Sequence, residues 1–234
     1  MAFFGGSFDP PHLGHLAIAQ AAQQALALDT VLFAPVGAQP LKPQGSTASF
    51  AHRLAMTRLA IATQRHFALS MADAPHPSGE PNYTLETLLK LRAELPSEGT
   101  LFCLMGADSF AQLRHWRRAA EIPFAAPLIV ASRPGQPLDD LLANLPDGLT
   151  LLQLSPAPDS TLQLHLYTLR NSADEQTPLY LLPDLEIEIC ASDIRAQIAA
   201  SAIEQKLLPL PVSEYIRAHG LYQSFAASPS RVYD

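Results

Sequence analysis

Cysteine is nearly absent. Cys103 and Cys190 are the only two, both in apolar or mixed stretches, so the disulfide framework of a small secreted domain is excluded and a reducing, cytoplasmic setting is expected. Long apolar runs are missing as well. The most apolar candidate, residues 122–131, is interrupted by Pro123 and Pro127 and falls short of the about 20 residues that span a bilayer, so no membrane partner is expected. The start of the chain, Met1-Ala2-Phe3-Phe4-Gly5-Gly6, has no basic region and reaches an acid at Asp9, unlike a secretory signal. Positive charge is scarce too: 15 Lys and Arg stand against 22 Asp and Glu, a formal charge of −7. That balance speaks against broad binding to nucleic acid, which rests on neutralising many phosphates. It leaves room for a mononucleotide pocket, which needs a few well-placed cations. Internal repeats are absent.

What the chain does have is 48% hydrophobic residues over 234 positions, enough for one domain with a full core and no staples. Short β-rich runs at 2–4, 30–34, 67–71, 101–105 and 128–132 alternate with helical patterns at 13–28, 49–64, 84–94 and 108–121. Leu13, Leu16, Ala17, Ala21, Leu26 and Leu28 approximate one apolar face, which suits a helix packed on a sheet. Further strands are expected at 149–154, 161–169 and 179–182, with an exposed loop at 171–177 and helices at 193–200 and 212–219, the last closed by Gly220. The expected fold class is α/β: a Rossmann-like doubly wound parallel sheet with helices on both faces, extra strands and a helical C-terminal part. A single domain over 1–223 is expected, with a strand-like insertion at about 155–183 and a flexible tail at 224–234. In such sheets ligands collect beyond the carboxyl ends of strands, so functional residues should follow strands directly.

The most informative run is Gly5-Gly6-Ser7-Phe8-Asp9-Pro10-Pro11-His12-Leu13-Gly14-His15-Leu16, which leaves a strand and enters a helix. Two glycines let the backbone turn tightly and approach a ligand, while a helix tip offers N–H groups and a positive dipole end to an anion. His12 and His15 are three apart and so share one side of the first turn, and Gly14 between them leaves space for a flat base. Together they make a site for phosphate oxygens. Taken alone, the two histidines would equally be a helix-end residue and a surface residue.

With its Gly5-to-Pro10 turn and His12-Leu13-Gly14-His15, the chain resembles the nucleotidyltransferase superfamily that carries an H-x-G-H signature. Within it, the chain is similar to the bacterial nicotinate-nucleotide adenylyltransferases from about Phe3 to Tyr222. The likeness recurs in order: Phe33-Ala34-Pro35 with Pro40-Leu41-Lys42, Arg53 and Met56, Asn82-Tyr83-Thr84-Leu85-Glu86-Thr87-Leu88, Met105-Gly106-Ala107-Asp108 with Trp116, Ser132-Arg133-Pro134-Gly135, Ser192-Asp193-Ile194-Arg195, and Pro211 to Tyr222.

The resemblance implies transfer of AMP from ATP to nicotinate mononucleotide, giving deamido-NAD and pyrophosphate in NAD biosynthesis. Because the attacking phosphate is already an anion, such a catalyst needs positioning and electrostatic stabilisation rather than an activated nucleophile. The implied catalytic set is His12, His15, Lys42 and Arg195. ATP is expected at Gly5, Gly6, Ser7, Phe8, Gly14, Gly106, Asp108, Arg133 and Ser192, and the pyridine nucleotide at Tyr83, Thr84 and Trp116. Mg²⁺ is expected as a cofactor held mainly by substrate phosphates, with no metal ligands in the protein itself. ATP and nicotinate mononucleotide are the expected partners, with a homo-oligomer left open. Plainer readings stand beside these: Lys42 as a solvated loop lysine, Arg195 as a surface helix arginine, Ser192 as the N-cap of its helix, Asp108 as another cap, Arg133 as a loop arginine and Trp116 as core.

Two departures bear on the resemblance. Pro40-Leu41-Lys42 stands where many relatives have Pro-Pro-His before the cation, and Cys190-Ala191 stands where two serines are usual. A sibling transferase for pantetheine phosphate or for cytidylyl transfer would share Gly5 to His15 but not Tyr83-Thr84, Gly106-Ala107-Asp108 and Trp116. A class I aminoacyl-tRNA synthetase would bring a K-M-S-K-S-like loop, which is missing. A nucleotide-binding regulator without catalysis would not need His12, His15, Lys42 and Arg195 together.

Overall fold

The computed structural model describes residues 1–41, 45–132, 143, 145–153, 164–182, 185, 189–200 and 207–223. Within these residues eight strands form one sheet: β1 (Ala2–Gly6), β2 (Val31–Pro35), β3 (Phe67–Leu69), β4 (Phe102–Gly106), β5 (Leu128–Ala131), β6 (Thr150–Gln153), β7 (His165–Arg170) and β8 (Gln176–Leu182). Their spatial order is β3-β2-β1-β4-β5-β8-β7-β6. β1 to β5 and β8 run parallel, while β7 is antiparallel to both β8 and β6. Leu128-Ile129-Val130-Ala131 is buried throughout, as a central strand covered on both faces must be.

Seven α-helices accompany the described strands: α1 (Leu13–Ala25), α2 (Phe50–Ile61), α3 (Thr84–Glu94), α4 (Ala107–Ala111), α5 (Ile122–Ala125), α6 (Ala191–Ala199) and α7 (Leu210–Ala218). Alternating strand residues sort them into two layers. Phe3, Cys103, Met105 and Val130 pack with Leu85 and Leu88 of α3 and Ile122 of α5. Phe4, Leu104 and Ile129 pack on the other side with Ala19 and Ala22 of α1, Met56 of α2, Ile194 of α6 and Val212 and Ile216 of α7. This is the expected doubly wound α/β architecture, and its strand order reverses between β1 and β4, which opens a crevice at their carboxyl ends.

Boundaries follow local chemistry. Ser49 caps α2 by accepting the His52 N–H, and Gly220 at φ +58 follows the end of α7. α1 stops at Ala25, three residues before the expected end, because Ala27 turns into the left-handed region at φ 45. The helix expected at 108–121 is a correction. α4 lasts five residues, a 3₁₀ turn Leu113–His115 follows, Trp116 is extended, Arg118 is left-handed at φ 53, and a second 3₁₀ turn Ala119–Glu121 leads into α5. Pro123 in the first turn of α5 accounts for the restart, since its ring and missing N–H suit a helix start and not an interior.

The segment expected as an insertion has residues 155–163 and 183 outside the described residues. Its described part supplies β7 and β8, joined by the turn at 171–175, and β8 lies directly against β5. Residue 154 of the expected strand 149–154, and the tail at 224–234, also lie outside the described residues.

Candidate active site

At the β1/β4 crevice lies a cleft of about 710 Å³. Its walls come from the β1–α1 turn, the loop after β2, the loop between β3 and α3, the β4–α4 junction and the start of α6. Gly5, Gly6, Ser7, Phe8, His12, His15, Tyr83, Thr84, Gly106, Asp108, Trp116 and Arg195 all line it. Those residues are therefore brought together on one cleft.

The glycine turn works differently from the expectation. Gly5 and Gly6 are the last residues of β1, and a side chain on Gly5 would put its Cβ 2.7 Å from the Phe3 ring. The tight turn falls instead on Phe8, in the left-handed region at φ 47, with its ring buried against Phe4 and His15 at centroid distances of 5.5 and 4.9 Å. Packing holds a conformation that an L-residue otherwise disfavours.

His12 is the N-cap of α1 and His15 is its third residue, and their rings lie 3.6 Å apart at 30°. The His12 N–H donates to His15 Nδ1 at 3.2 Å, while the N–H groups of Leu13 and His15 go to the carbonyls of Leu207 and His12. The helix tip thus spends several N–H groups internally, which leaves fewer of them to face an anion than the sequence led one to expect. Because Nδ1 accepts, the proton of neutral His15 sits on Nε2. Burial first, and then the neighbouring His12, hold the His15 pKa well below the ordinary imidazole value. Gly14 is buried in the same turn and does not line the cleft.

Arg195 reaches the cleft from α6 and donates to the Asp9 carbonyl at 2.7 Å, so it is anchored rather than a surface arginine. Asp9 itself is a hub that sequence reasoning passed over. Its buried carboxylate accepts the Thr47 and Ala48 N–H groups at 2.6 and 3.1 Å and the Tyr222 hydroxyl at 2.7 Å. Burial, then Asp9, push the Tyr222 pKa up and keep that hydroxyl a donor. Arg53, fully buried in α2, donates to the carbonyls of Ser7, Val36 and Ala48 at 2.7, 2.7 and 3.3 Å. One guanidinium therefore ties both ends of the β2–α2 loop to the β1–α1 turn.

The opposite wall belongs to the other layer of the core. Trp116 packs against that core and also lines the cleft, combining the two readings weighed for it. The Arg117 guanidinium lies 4.5 Å over the Tyr83 ring and 3.3 Å from Glu86. Asn82 fastens the loop between β3 and α3, donating to the Ala74 carbonyl at 2.8 Å and accepting the Ala38 N–H at 3.0 Å. In that loop sits Asp73, 4% exposed, with Oδ1 accepting from Thr87 Oγ1 at 2.8 Å. Burial raises its pKa to about 6, against the smaller opposing pull of Thr87. It is an acid following a strand, and the topological rule applied to every loop would have flagged it.

Asp108 is exposed within the first turn of α4, whose N-cap is Gly106, so it is not the cap. Ser192 is also corrected as an N-cap: Cys190 holds that position and α6 starts at Ala191. Ser192 is exposed, lies 2.8 Å from Cys190 Sγ and does not line the cleft, whereas Cys190 does. That hydrogen bond lowers the Cys190 pKa below the ordinary thiol value. Lys42 and Arg133 lie outside the described residues, though Leu41 and Gly45, on either side of 42–44, line the cleft. Among the described residues no group of three or more His, Cys, Asp and Glu side chains could hold a metal ion, and no helix is long and apolar enough to cross a membrane.

Comparison with known proteins places this geometry. The cytidylyltransferase-like family model matches residues 3–197. A "Probable nicotinate-nucleotide adenylyltransferase" from Thermomicrobium roseum is 36% identical over 229 residues, covering 97% of this chain and 93% of that one. A protein of the same name from Xylella fastidiosa is 33% identical over 94% of this chain and 95% of its own. Among solved structures, the fold matches Plasmodium falciparum nicotinic acid mononucleotide adenylyltransferase complexed with NaAD at a TM-score of 0.66 and 16% identity, over 94% of this chain and 96% of that one.

Proposed function

Since the chain belongs to the nicotinate-nucleotide adenylyltransferases of the cytidylyltransferase-like family, we propose that its cleft joins ATP to nicotinate mononucleotide, forming deamido-NAD and pyrophosphate in NAD biosynthesis. The mononucleotide's phosphate oxygen bonds to the α-phosphorus of ATP as the bridge to the β-phosphate breaks, and pyrophosphate carries away the electron pair. No proton has to be removed from the attacking group. The protein's work is alignment and charge stabilisation.

The observation that carries this reading is the closely apposed His12–His15 pair at the β1–α1 turn, opening on one cleft with Arg195. His15 is held neutral, with its Nε2 proton available to donate to an α-phosphate oxygen as charge builds there. A neutral donor keeps its proton and gains strength in the low-dielectric site. His12 lies against it, Arg195 brings a positive charge, and Lys42 takes the phosphate role that the family likeness implies. Gly5, Gly6 and Ser7 let the backbone border the phosphates, while Gly106 and Asp108 border the adenosine ribose. Tyr83, Thr84 and Trp116 form the pyridine wall.

Mg²⁺ is proposed as a cation held mainly by the substrate's phosphate oxygens and water, as is common where polyphosphates are bound. When bound, it would neutralise charge on the triphosphate. Free thiols at Cys103 and Cys190 support a cytoplasmic place of work.

The test is pyrophosphate release with ATP and nicotinate mononucleotide. His15→Ala is expected to lower kcat by about 100- to 1,000-fold while changing ATP binding only a few-fold, the mark of a contact made in the transition state. Unchanged turnover in that variant would remove the role given to His15, and no transfer by the unaltered protein would remove the function.

A further inference from the structure

Asp73 has no part in the phosphate chemistry, yet it is a buried acid that lines the cleft. Three observations bear on its purpose. It shares the core layer of the pyridine wall: its neighbour Ala72 packs on the same cluster as Phe3, Cys103, Met105 and Trp116, whereas the layer holding α1 and α6 carries the histidines and Arg195. Its Oδ1 is held by Thr87, and its Oδ2 accepts no hydrogen bond from the described residues. Arg117, which also lines the cleft, is committed to Glu86 and the Tyr83 ring.

Among the described residues no cation is paired with this carboxylate. The acceptor supplies one. In a pyridine ribonucleotide the ring nitrogen is bonded to three carbons and carries a formal positive charge at every pH, whereas ordinary purine and pyrimidine bases are neutral. Resting on the adenylyl-transfer reading above, we propose that Asp73 is a specificity-determining residue whose carboxylate is the counter-charge for the pyridinium ring of the acceptor mononucleotide. Trp116 and Tyr83 offer flat faces to that ring, and Asp73 selects its charge. Since nicotinate and nicotinamide nucleotides share the charged nitrogen, the residue separates cationic from neutral bases and not the acid from the amide.

The experiment compares nicotinate mononucleotide with a neutral isostere, the benzoic acid C-riboside 5′-phosphate, in which carbon replaces the ring nitrogen. For the unaltered enzyme, kcat/KM is expected to favour the cationic acceptor by about 10- to 100-fold, the size of a close, partly screened charge pair. Asp73→Asn keeps the shape and an acceptor for Thr87 but removes the charge, and it is expected to collapse that ratio towards unity, mainly through KM for the acceptor. Asp73→Ser gives the same comparison if the amide is not tolerated in the fold. A ratio that survives both substitutions, or that is already near unity in the unaltered enzyme, overturns the assignment to Asp73 while adenylyl transfer stands. Absence of transfer by the unaltered enzyme overturns both.

Discussion

At the scale of the residue, Asp73 makes a measurable claim about stability. Its folded-state pKa, about 6, lies above the ordinary 3.8, so its contribution to stability is fully present below the ordinary value and is lost as pH rises through about 6. The groups bearing on it are Thr87, which donates to it from α3, and the buried Cys103 thiol on β4, itself pushed up to about 12 mainly by burial. Ionised Asp73 therefore costs the fold about 2–3 kcal/mol near neutral pH. Asp73→Asn, which cannot ionise, should gain that amount relative to the parent between about pH 4 and about pH 7.5 in urea unfolding. Parallel pH curves for the two proteins would show that the acid is comfortable in its site. An acid that works against the fold is the kind of residue retained for binding.

At the scale of the element, the β1–α1 turn is not self-supporting. Phe8 holds a left-handed backbone, and the turn's carbonyl at Ser7 is held by Arg53 from α2, which also holds Val36 beyond β2 and Ala48 before its own helix. Arg53→Met keeps the length and apolar stem but leaves three inward carbonyls without their donor, and it is expected to destabilise the protein by about 3 kcal/mol or more. Arg53→Lys should rescue little, since one ammonium cannot match the planar fork. Thermal melting and KM for ATP check this together: stability should fall, and KM should rise as the turn loosens. A lysine variant with parental values would show that charge alone suffices.

Across the whole molecule, the two ends of the chain close on the same carboxylate. Asp9 binds Thr47 and Ala48 on one side and Tyr222 on the other, while Arg195 holds its carbonyl, so contacts separated by 186 and 213 positions set the same turn. Tyr222→Phe removes one charge-assisted hydrogen bond and leaves the ring in place, and it should cost about 1–3 kcal/mol. Because Asp9 lies beside the phosphate residues, the loss should also appear as a rise in KM for ATP. A variant that melts lower with unaltered ATP kinetics would confine Tyr222 to stability.

What the sequence determined by itself is whatever local chemistry dictates. β-rich runs alternating with helical periods gave the doubly wound sheet, and the spacing of His12 and His15 after a first strand put two imidazoles on one helix tip. What the tertiary structure decided is everything that depends on neighbours far along the chain. A helix whose pattern read as continuous over 108–121 ends at Ala111, with Trp116 extended and Arg118 left-handed beyond it, and Cys190 took the cap expected of Ser192. Periodicity sees which residues are apolar but not where a chain must stop to let another element pass. Likewise, Asp9, Arg53 and Asp73 are a single acid, a single base and a single acid in sequence. Their partners are carbonyls, N–H groups and a hydroxyl that only the packed layers bring within hydrogen-bond reach, and it is desolvation in those layers that turns Asp73 into an acid with a raised pKa.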